Sequence, residues 1–177
     1  RIDRNTGGIV IAAKNADSLR ILNAKMKTRE LEKYYLCLLY GKPKKNSDTL
    51  HGYMTKNESK NKVTVFKNEV EGSKEIKTKY EILDFNGKFS LAEVELLTGR
   101  THQIRAHMAS IGHPLVGDTK YGKGKKAPDS IKYQALYSYK LRFNFETDAG
   151  ILNYLNGKEF EVNDVWFAKN GKINSDR

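Results

Sequence analysis

Apolar and polar positions along this chain follow two rhythms, and the strand rhythm dominates. From Gly7 to Lys14, "GGIVIAAK" is a nearly unbroken apolar run rich in β-branched residues and predicts a buried strand. Asn15 or Asp17 can cap the helix that follows. In it Leu19, Leu22 and Met26 recur at spacings of three and four, giving one apolar face. "LEKYYLCLLYGKP", Leu31 to Pro43, predicts a second strand, stopped by Gly41 and Pro43. Residues 44–75 are Lys- and Asn-rich with short apolar pieces and read as an irregular β insertion. "KTKYEILDF" and "KFSLAEVELL" predict a hairpin, because Asn86 and Gly87 between them both tolerate positive φ. Along its second arm Ala92, Val94 and Leu96 face one way, Glu93 and Glu95 the other. "THQIRAHMASIG" predicts a short helix with Thr101 as N-cap, Ile104, Met108 and Ile111 as its apolar stripe and Gly112 as its stop. Residues 117–130 read as a Gly- and Lys-rich loop. "ALYSYKLRFNF" predicts a strand with Tyr137, Tyr139, Leu141, Phe143 and Phe145 on one face. The last ten residues, 168–177, read as a frayed polar tail. No repeat or linker interrupts the pattern, which is that of one α+β domain over residues 1–177.

Composition narrows the partner. At 177 residues the chain suits a single core. Its apolar runs are strand-length, far short of a bilayer, and nothing resembles a signal peptide, so the expectation is a cytoplasmic protein with no membrane partner. The lone Cys37 lies in an apolar run and reads as a small buried hydrophobe. Lys and Arg number 32 against 21 Asp and Glu, a net charge of +11. That excess favours a polyanion, above all nucleic acid.

Several familiar chemistries fail on inspection. "GDTKYGKG" nearly matches a phosphate-binding P-loop, but Gly124 stands where Ser or Thr must ligate magnesium. Lys120, Lys123, Lys125 and Lys126 nearby suit either phosphate contact or a solvated loop. His102 and His107 are five residues apart, about 140° around a helix, and no cysteine or carboxylate completes a metal set. No serine-nucleophile elbow is present. Three polar clusters remain: Arg1-Ile2-Asp3-Arg4, Glu32-Lys33-Tyr34-Tyr35, and Thr98 to Arg105, where a strand turns into a helix. A basic helix N-terminus suits phosphate. An Asp between arginines is held ionised, ready as a nucleophile. Taken singly, each cluster also reads as something ordinary: a surface ion pair, a core tyrosine, a capped helix.

Together the clusters resemble one family. "RIDRNTGG" is similar to the catalytic-aspartate motif of the RluA family of pseudouridine synthases, usually His-Arg-Leu-Asp-Arg-Asp-Thr-Ser-Gly. "EKYYLCLLYG" resembles its Lys-x-Tyr strand, and "LLTGRTHQIRAHMASIGHPLVGDTKYG" its third motif nearly residue for residue. "QALYSYKLRF" resembles a later strand, so the match runs in order from Arg1 to about Phe145, with the RluC-like enzymes of bacterial large-subunit ribosomal RNA nearest in pattern. The resemblance implies the pseudouridine-synthase fold: a mainly antiparallel mixed sheet with flanking helices and a basic cleft. It implies isomerisation of uridine in RNA, most plainly ribosomal RNA, without cofactor or metal; a monomer is the expectation for this chain. By motif, Asp3 is the nucleophile, attacking either C6 of the base or C1′ of the ribose. Tyr35 packs on the uracil, Arg105 pairs with Asp3, and Ile104 packs near the base. Arg1 resembles the residue that fills the gap left by the flipped uridine. Arg4, Lys33, Arg100, His102 and Gln103 suit either RNA contact or scaffold support.

The departures are local. Ile2 replaces Leu, Asn5 the usual Asp, and Gly7 the usual Ser, while Tyr137 stands where many relatives have His. The chain starts one residue inside the family's first motif, without the upstream Lys-Pro-x-Gly segment. The expectation is a truncated catalytic domain, folded but weakly active or inactive, because Asp3 sits close to a free amino terminus. Two other classes fit the composition: an RNA-binding assembly factor that has lost the chemistry, and a ribonuclease using His102 or His107.

Overall fold

A computed structural model describes residues 2–122 and 124–174. Arg1, Lys123 and the end of the expected tail, 175–177, lie outside the described residues. The core is an eight-stranded sheet built from β1 (Gly7–Gly8), β2 (Leu31–Tyr40), β3 (Ser47–Asn57), β4 (Lys62–Phe66), β5 (Lys74–Phe85), β6 (Phe89–Leu96), β7 (Leu136–Phe143) and β8 (Glu159–Glu161). Its order is β1-β7-β2-β6-β5-β3-β4, with β8 also on β7. Only the β1–β7 pair is parallel; the others are antiparallel. Two helices, α1 (Ala16–Lys27) and α2 (Gln103–Ser110), and a short 3-10 helix (Gly150–Leu155) flank the sheet. The α+β expectation therefore holds, with the mixed, mainly antiparallel sheet it named.

Burial on both faces explains why β2 is so apolar. Along it Tyr35, Cys37 and Leu39 share a core with Ala92, Val94, Ile104 and Met108, and so lie beneath α2. Leu36, Leu38 and Tyr40 point the other way, into a core closed by Val165, Phe167 and Ala168. Each such fully buried side chain stabilises the fold by about 1.5–3 kcal/mol. Cys37 is fully buried and its thiol is pushed up by desolvation, as a small core hydrophobe should be.

Several local expectations are corrected. The strand expected over Gly7–Lys14 pairs only at Gly7–Gly8, with one further bond from Ile9 N–H to Ser138 O. Farther along, the same edge of β7 is taken by β8, which pairs with Lys140–Arg142. Asn15, not Asp17, caps α1, accepting from Ser18 N–H at 2.8 Å. Of the α1 stripe only Leu22 is buried; Leu19 and Met26 are exposed, and Ser18 and Lys25 turn inward instead. The reason is Lys25, whose ammonium reaches Glu30 at 2.7 Å and Thr147 Oγ1 at 2.6 Å and sets the helix rotation.

Residues 44–75 are not irregular: β3 and β4 form a regular antiparallel hairpin, and β3 continues the sheet beside β5. Their outer faces are solvated, so lysine and asparagine dilute the alternation without breaking it. The turn from β5 to β6 spans Asn86, Gly87 and Lys88; only Gly87 has positive φ, while the Asn86 side chain accepts from the N–H groups of Lys88 and Phe89. On β7 the five-residue face is split. Pairing with β2 slips one register between Tyr34 and Tyr35, so Tyr139 packs beneath the small C-terminal sheet while Leu141 and Phe143 pack toward α1. The described part of the expected tail packs: β9 (Asp164–Val165), β10 (Ala168–Lys169) and β11 (Lys172–Ile173) form a small sheet, and Ile173 N–H donates to Asp84. Short strands anchored on Val165, Phe167 and Ala168 carry too little periodicity to be read in isolation.

Candidate active site

Asp3 sits in a tight turn just before β1. Thr6 N–H donates to Asp3 O at 3.1 Å, Asn5 takes φ +64°, and Gln134 Nε2 donates to Arg4 O at 2.6 Å and to Thr6 Oγ1 at 3.3 Å. Asparagine tolerates this left-handed turn almost as well as glycine does. β1 then pins the turn to β7 through the Gly7–Tyr137 and Gly8–Ser138 pairs. Glycine is required at 8: φ is +111° and a Cβ there would lie 2.1 Å from Ser138 O.

Arg105 comes from α2, on the other side of the site. Its Nη1 donates to Asp3 Oδ2 at 3.3 Å. The rest of the guanidinium is held from behind: Nε donates to Asp118 Oδ2 at 2.7 Å and Nη2 to Asp118 Oδ1 at 3.0 Å. Asp118 has no exposed side-chain surface, and its Oδ1 also accepts from the N–H groups of Lys120 and Tyr121. Burial pushes the Asp118 carboxyl up, but the hydrogen bonds and charge of Arg105, with those two N–H groups, outweigh it and hold it below the usual range. Asp118 is thus the second carboxylate of the site, oriented toward Arg105 as Asp3 is oriented toward substrate space. In the sequence it lies within a Gly- and Lys-rich stretch that reads as a loop. Its signal was present in "GDTKYG": an acid bracketed by glycines, with an aromatic three residues on. That aromatic, Tyr121, lays its ring 5.3 Å from the Arg105 guanidinium.

The helix that carries Arg105 starts differently from the expected Thr101 cap. His102 takes the N-cap position with φ +54°, and no side-chain cap bond forms. His102 Nδ1 instead meets the Tyr121 hydroxyl at 2.9 Å, and that oxygen accepts Val63 N–H at 3.1 Å. Gln103 uses its whole amide within the protein: Oε1 accepts from Thr98 Oγ1 and Arg100 N–H, and Nε2 donates to Lys77 O and Thr78 Oγ1. Of the two readings the sequence left for Gln103, the structure assigns scaffold. His107 and His113 turn to other partners, Thr78 Oγ1 and Tyr40 O. Ile111 is too exposed to belong to the apolar stripe, and Gly112 ends the helix with φ +89°.

A cleft of about 470 Å³ joins these groups. Asp3, Tyr35, His102, Ile104, Leu136 and Ser138 line it, and Arg4, Lys33 and Arg100 lie around it. Tyr35 is buried on the β2 face, opposite Ser138. Burial and the Asp3 charge push its phenol up, against a hydrogen bond with Ser138. Burial pushes the Lys33 ammonium down. Lys33 Nζ comes so close to Gly99 that a Cβ there would stand 3.3 Å away. Among the described residues, Arg4, Lys33 and Arg100 have no carboxylate within ion-pair distance. A desolvated lysine without a counter-ion is the local chemistry of an anion site. Arg1 lies outside the described residues, so its expected place beside the flipped base is not set by this geometry.

Two departures from the family pattern fit each other. A Cβ on Gly7 would lie 2.6 Å from Tyr137 Cε2, so the tyrosine ring occupies the space a serine at 7 would need.

A family model described as RNA pseudouridylate synthase matches residues 1–110. The chain is 34% identical over 164 residues to an uncharacterized RNA pseudouridine synthase of Chlorobaculum parvum, covering 84% of this chain and 50% of that one. It is 35% identical over 122 residues to ribosomal large subunit pseudouridine synthase C of Vibrio vulnificus, covering 69% and 38%. The fold matches human RNA pseudouridylate synthase domain containing 1 with a TM-score of 0.71 at 24% identity, over 93% of this chain and 67% of that one. The chain therefore spans about half the length, or less, of these curated relatives. With the three motifs converging on one cleft and the family model matching more than half of the chain, the chain belongs to the RNA pseudouridylate synthase family.

Proposed function

We propose that the polypeptide carrying this chain converts uridine to pseudouridine in RNA, with large-subunit ribosomal RNA as the substrate. The observation that carries the reading is the Asp3 carboxylate, held by Arg105 in a cleft that pairs an apolar floor with unpaired cations. An extruded uracil fits against Tyr35 and Ile104, and the flanking phosphates meet Arg4, Lys33 and Arg100. In the reaction the N1–C1′ bond breaks, the base turns, and C5 bonds to C1′ while the C5 proton leaves and N1 takes up a proton. Asp3 is the nucleophile, Tyr35 the packing and proton-handling group, and Arg105 the positioning residue. The ribosomal target rests on the likeness to the Vibrio enzyme named for that RNA. We place the protein in the cytoplasm, where ribosomal RNA is assembled, acting as a monomer.

The test is release of the C5 hydrogen. Large-subunit ribosomal RNA carrying tritium at uridine C5 is incubated with the full-length protein, and tritium in water is counted. Release that Asp3→Ala abolishes is expected. Equal release from both proteins would remove Asp3 from the chemistry. Binding without any release would leave an RNA-binding factor on this scaffold, and RNA chain cleavage would point to a nuclease.

A further inference from the structure

His102 has one nitrogen assigned and one free. The Tyr121 hydroxyl oxygen accepts Val63 N–H and lies 2.9 Å from His102 Nδ1, so its own hydrogen can be given to that nitrogen. An imidazole that accepts at Nδ1 carries its proton on Nε2. Among the described residues no fully buried side-chain N or O lacks a partner, and Nε2 has no protein partner. Nε2 is therefore open to the cleft that His102 lines beside Asp3. The backbone holds it there at φ +54°, a left-handed conformation that side chains other than glycine seldom take and that collects at functional sites.

We propose that His102 is a catalytic hydrogen-bond donor: as a neutral imidazole it gives its Nε2–H to a carbonyl oxygen of the uracil while the base is detached from the ribose. This rests on the isomerase reading above. When N1–C1′ breaks, the bonding pair leaves with the base, the Asp3 carboxylate bonds to C1′, and negative charge spreads to N1, O2 and O4. The base must keep that charge until C5 attacks C1′ and displaces Asp3, after which the C5 proton is lost and N1 takes up a proton. A fixed donor aimed at the developing oxyanion lowers the barrier. A neutral donor is needed, because an imidazolium would pass its proton to the base and quench the nucleophile. The surroundings favour the neutral ring. Burial pushes His102 below its ordinary value, and Arg105 and Lys120 add to that, against the pull of Asp3 and Asp118. Those four are the charged groups that act on the ring, Tyr121 packs edge-on against it, and the helix cap position draws no side-chain cap bond from it.

Two measurements test this. Nitrogen NMR on the labelled chain at neutral pH should show the Nε2–H tautomer for His102; an imidazolium or the Nδ1–H tautomer would overturn the proposal. Single-turnover pseudouridine formation by the full-length protein should then fall about a hundredfold in His102→Ala, with RNA affinity held within about threefold. His102→Gln, whose amide can donate from nearly the Nε2 position, should recover about tenfold of that loss. A merely structural role is separated by substrates carrying 2-thiouridine or 4-thiouridine. One of the two thio substitutions should slow the wild type and not His102→Ala. Equal slowing by both substitutions in both proteins would sink the idea. If His102→Ala is as fast as wild type while Asp3→Ala is dead, the isomerase stands and this donor falls. If Asp3→Ala is as fast as wild type, the functional reading falls first and the donor with it.

Discussion

At the scale of single residues, the site is a relay of two carboxylates through one guanidinium. Asp118 uses two prongs of Arg105 and leaves Nη1 for Asp3. A bidentate pair fixes orientation as well as charge. Asp118→Asn should leave Arg105 buried with half its partner, and denaturant unfolding should show a loss of about 3–5 kcal/mol. The same variant should lose turnover while retaining RNA binding, because Arg105 no longer presents Nη1 to Asp3. Unchanged stability would mean that the guanidinium finds another acceptor. The sequence showed the Arg105–Asp3 pairing only through the family motif. It did not show Asp118, because nothing in a Gly- and Lys-rich stretch says that one acid turns inward and is capped by the N–H groups of Lys120 and Tyr121.

At the scale of elements, the β1–β7 junction decides whether Asp3 is in place. Two residues of pairing, one glycine with φ +111° and one tyrosine ring hold the turn against the sheet. Gly7→Ser should clash with Tyr137 and cost about 1–3 kcal/mol of stability. Tyr137→His should release that strain, so the double variant Gly7→Ser, Tyr137→His should be more stable than the sum of the two single effects. A double-mutant cycle measured by thermal unfolding checks the coupling. Additive effects would show that the two positions do not share space in solution. The slip between β2 and β7 matters at the same scale. It sets Leu141 opposite Lys33 and Ser138 opposite Tyr35, so two β7 residues three apart share the cleft face with the family's Lys-x-Tyr pair. Alternation along β7 alone suggests one continuous face; a bulge belongs to the pairing of two strands and cannot be read from either.

At the scale of the whole molecule, charge and buried titration set the response to solvent. The net charge of +11 predicts RNA affinity that falls steeply with salt. Lys33→Ala should weaken binding alike for different sequences and make the slope of log affinity against log salt shallower by about 0.7. An unaltered slope would place Lys33 away from the phosphates. Acid should weaken the fold in two stages. Burial, with the charge of His51, pushes His107 down from 6.5 to about 4. The unfolded chain takes up that proton below about 6.5 and the folded chain only below about 4, so stability rises with pH across this window. Glu30 lies at about 2, lowered from 4.5 chiefly by its Lys25 hydrogen bond, with Thr28 and Thr147 adding to it. Its stabilisation is present above about 4.5 and lost as pH falls toward 2. Melting temperature against pH should therefore decline from 6.5 downward, and His107→Gln should flatten the upper part alone. A melting temperature flat between 4 and 6.5 in the wild type would contradict the buried neutral ring.

Local order belongs to the sequence. Long apolar β2, the Asn86–Gly87 turn, the Gly112 stop and the ordered motifs around Asp3, Tyr35 and Arg105 are all legible there, because each depends on neighbours a few residues away. The net charge is legible for the same reason, being a sum over residues. Tertiary structure alone decides which acid turns inward behind Arg105, which way α1 rotates to satisfy Lys25, where β7 slips, and whether residues 168–174 fray or pack. Each of these is settled by groups far apart in the chain competing for one buried hydrogen-bond partner or one strand edge. A local pattern carries no record of that competition, and the close-packed interior admits only one outcome.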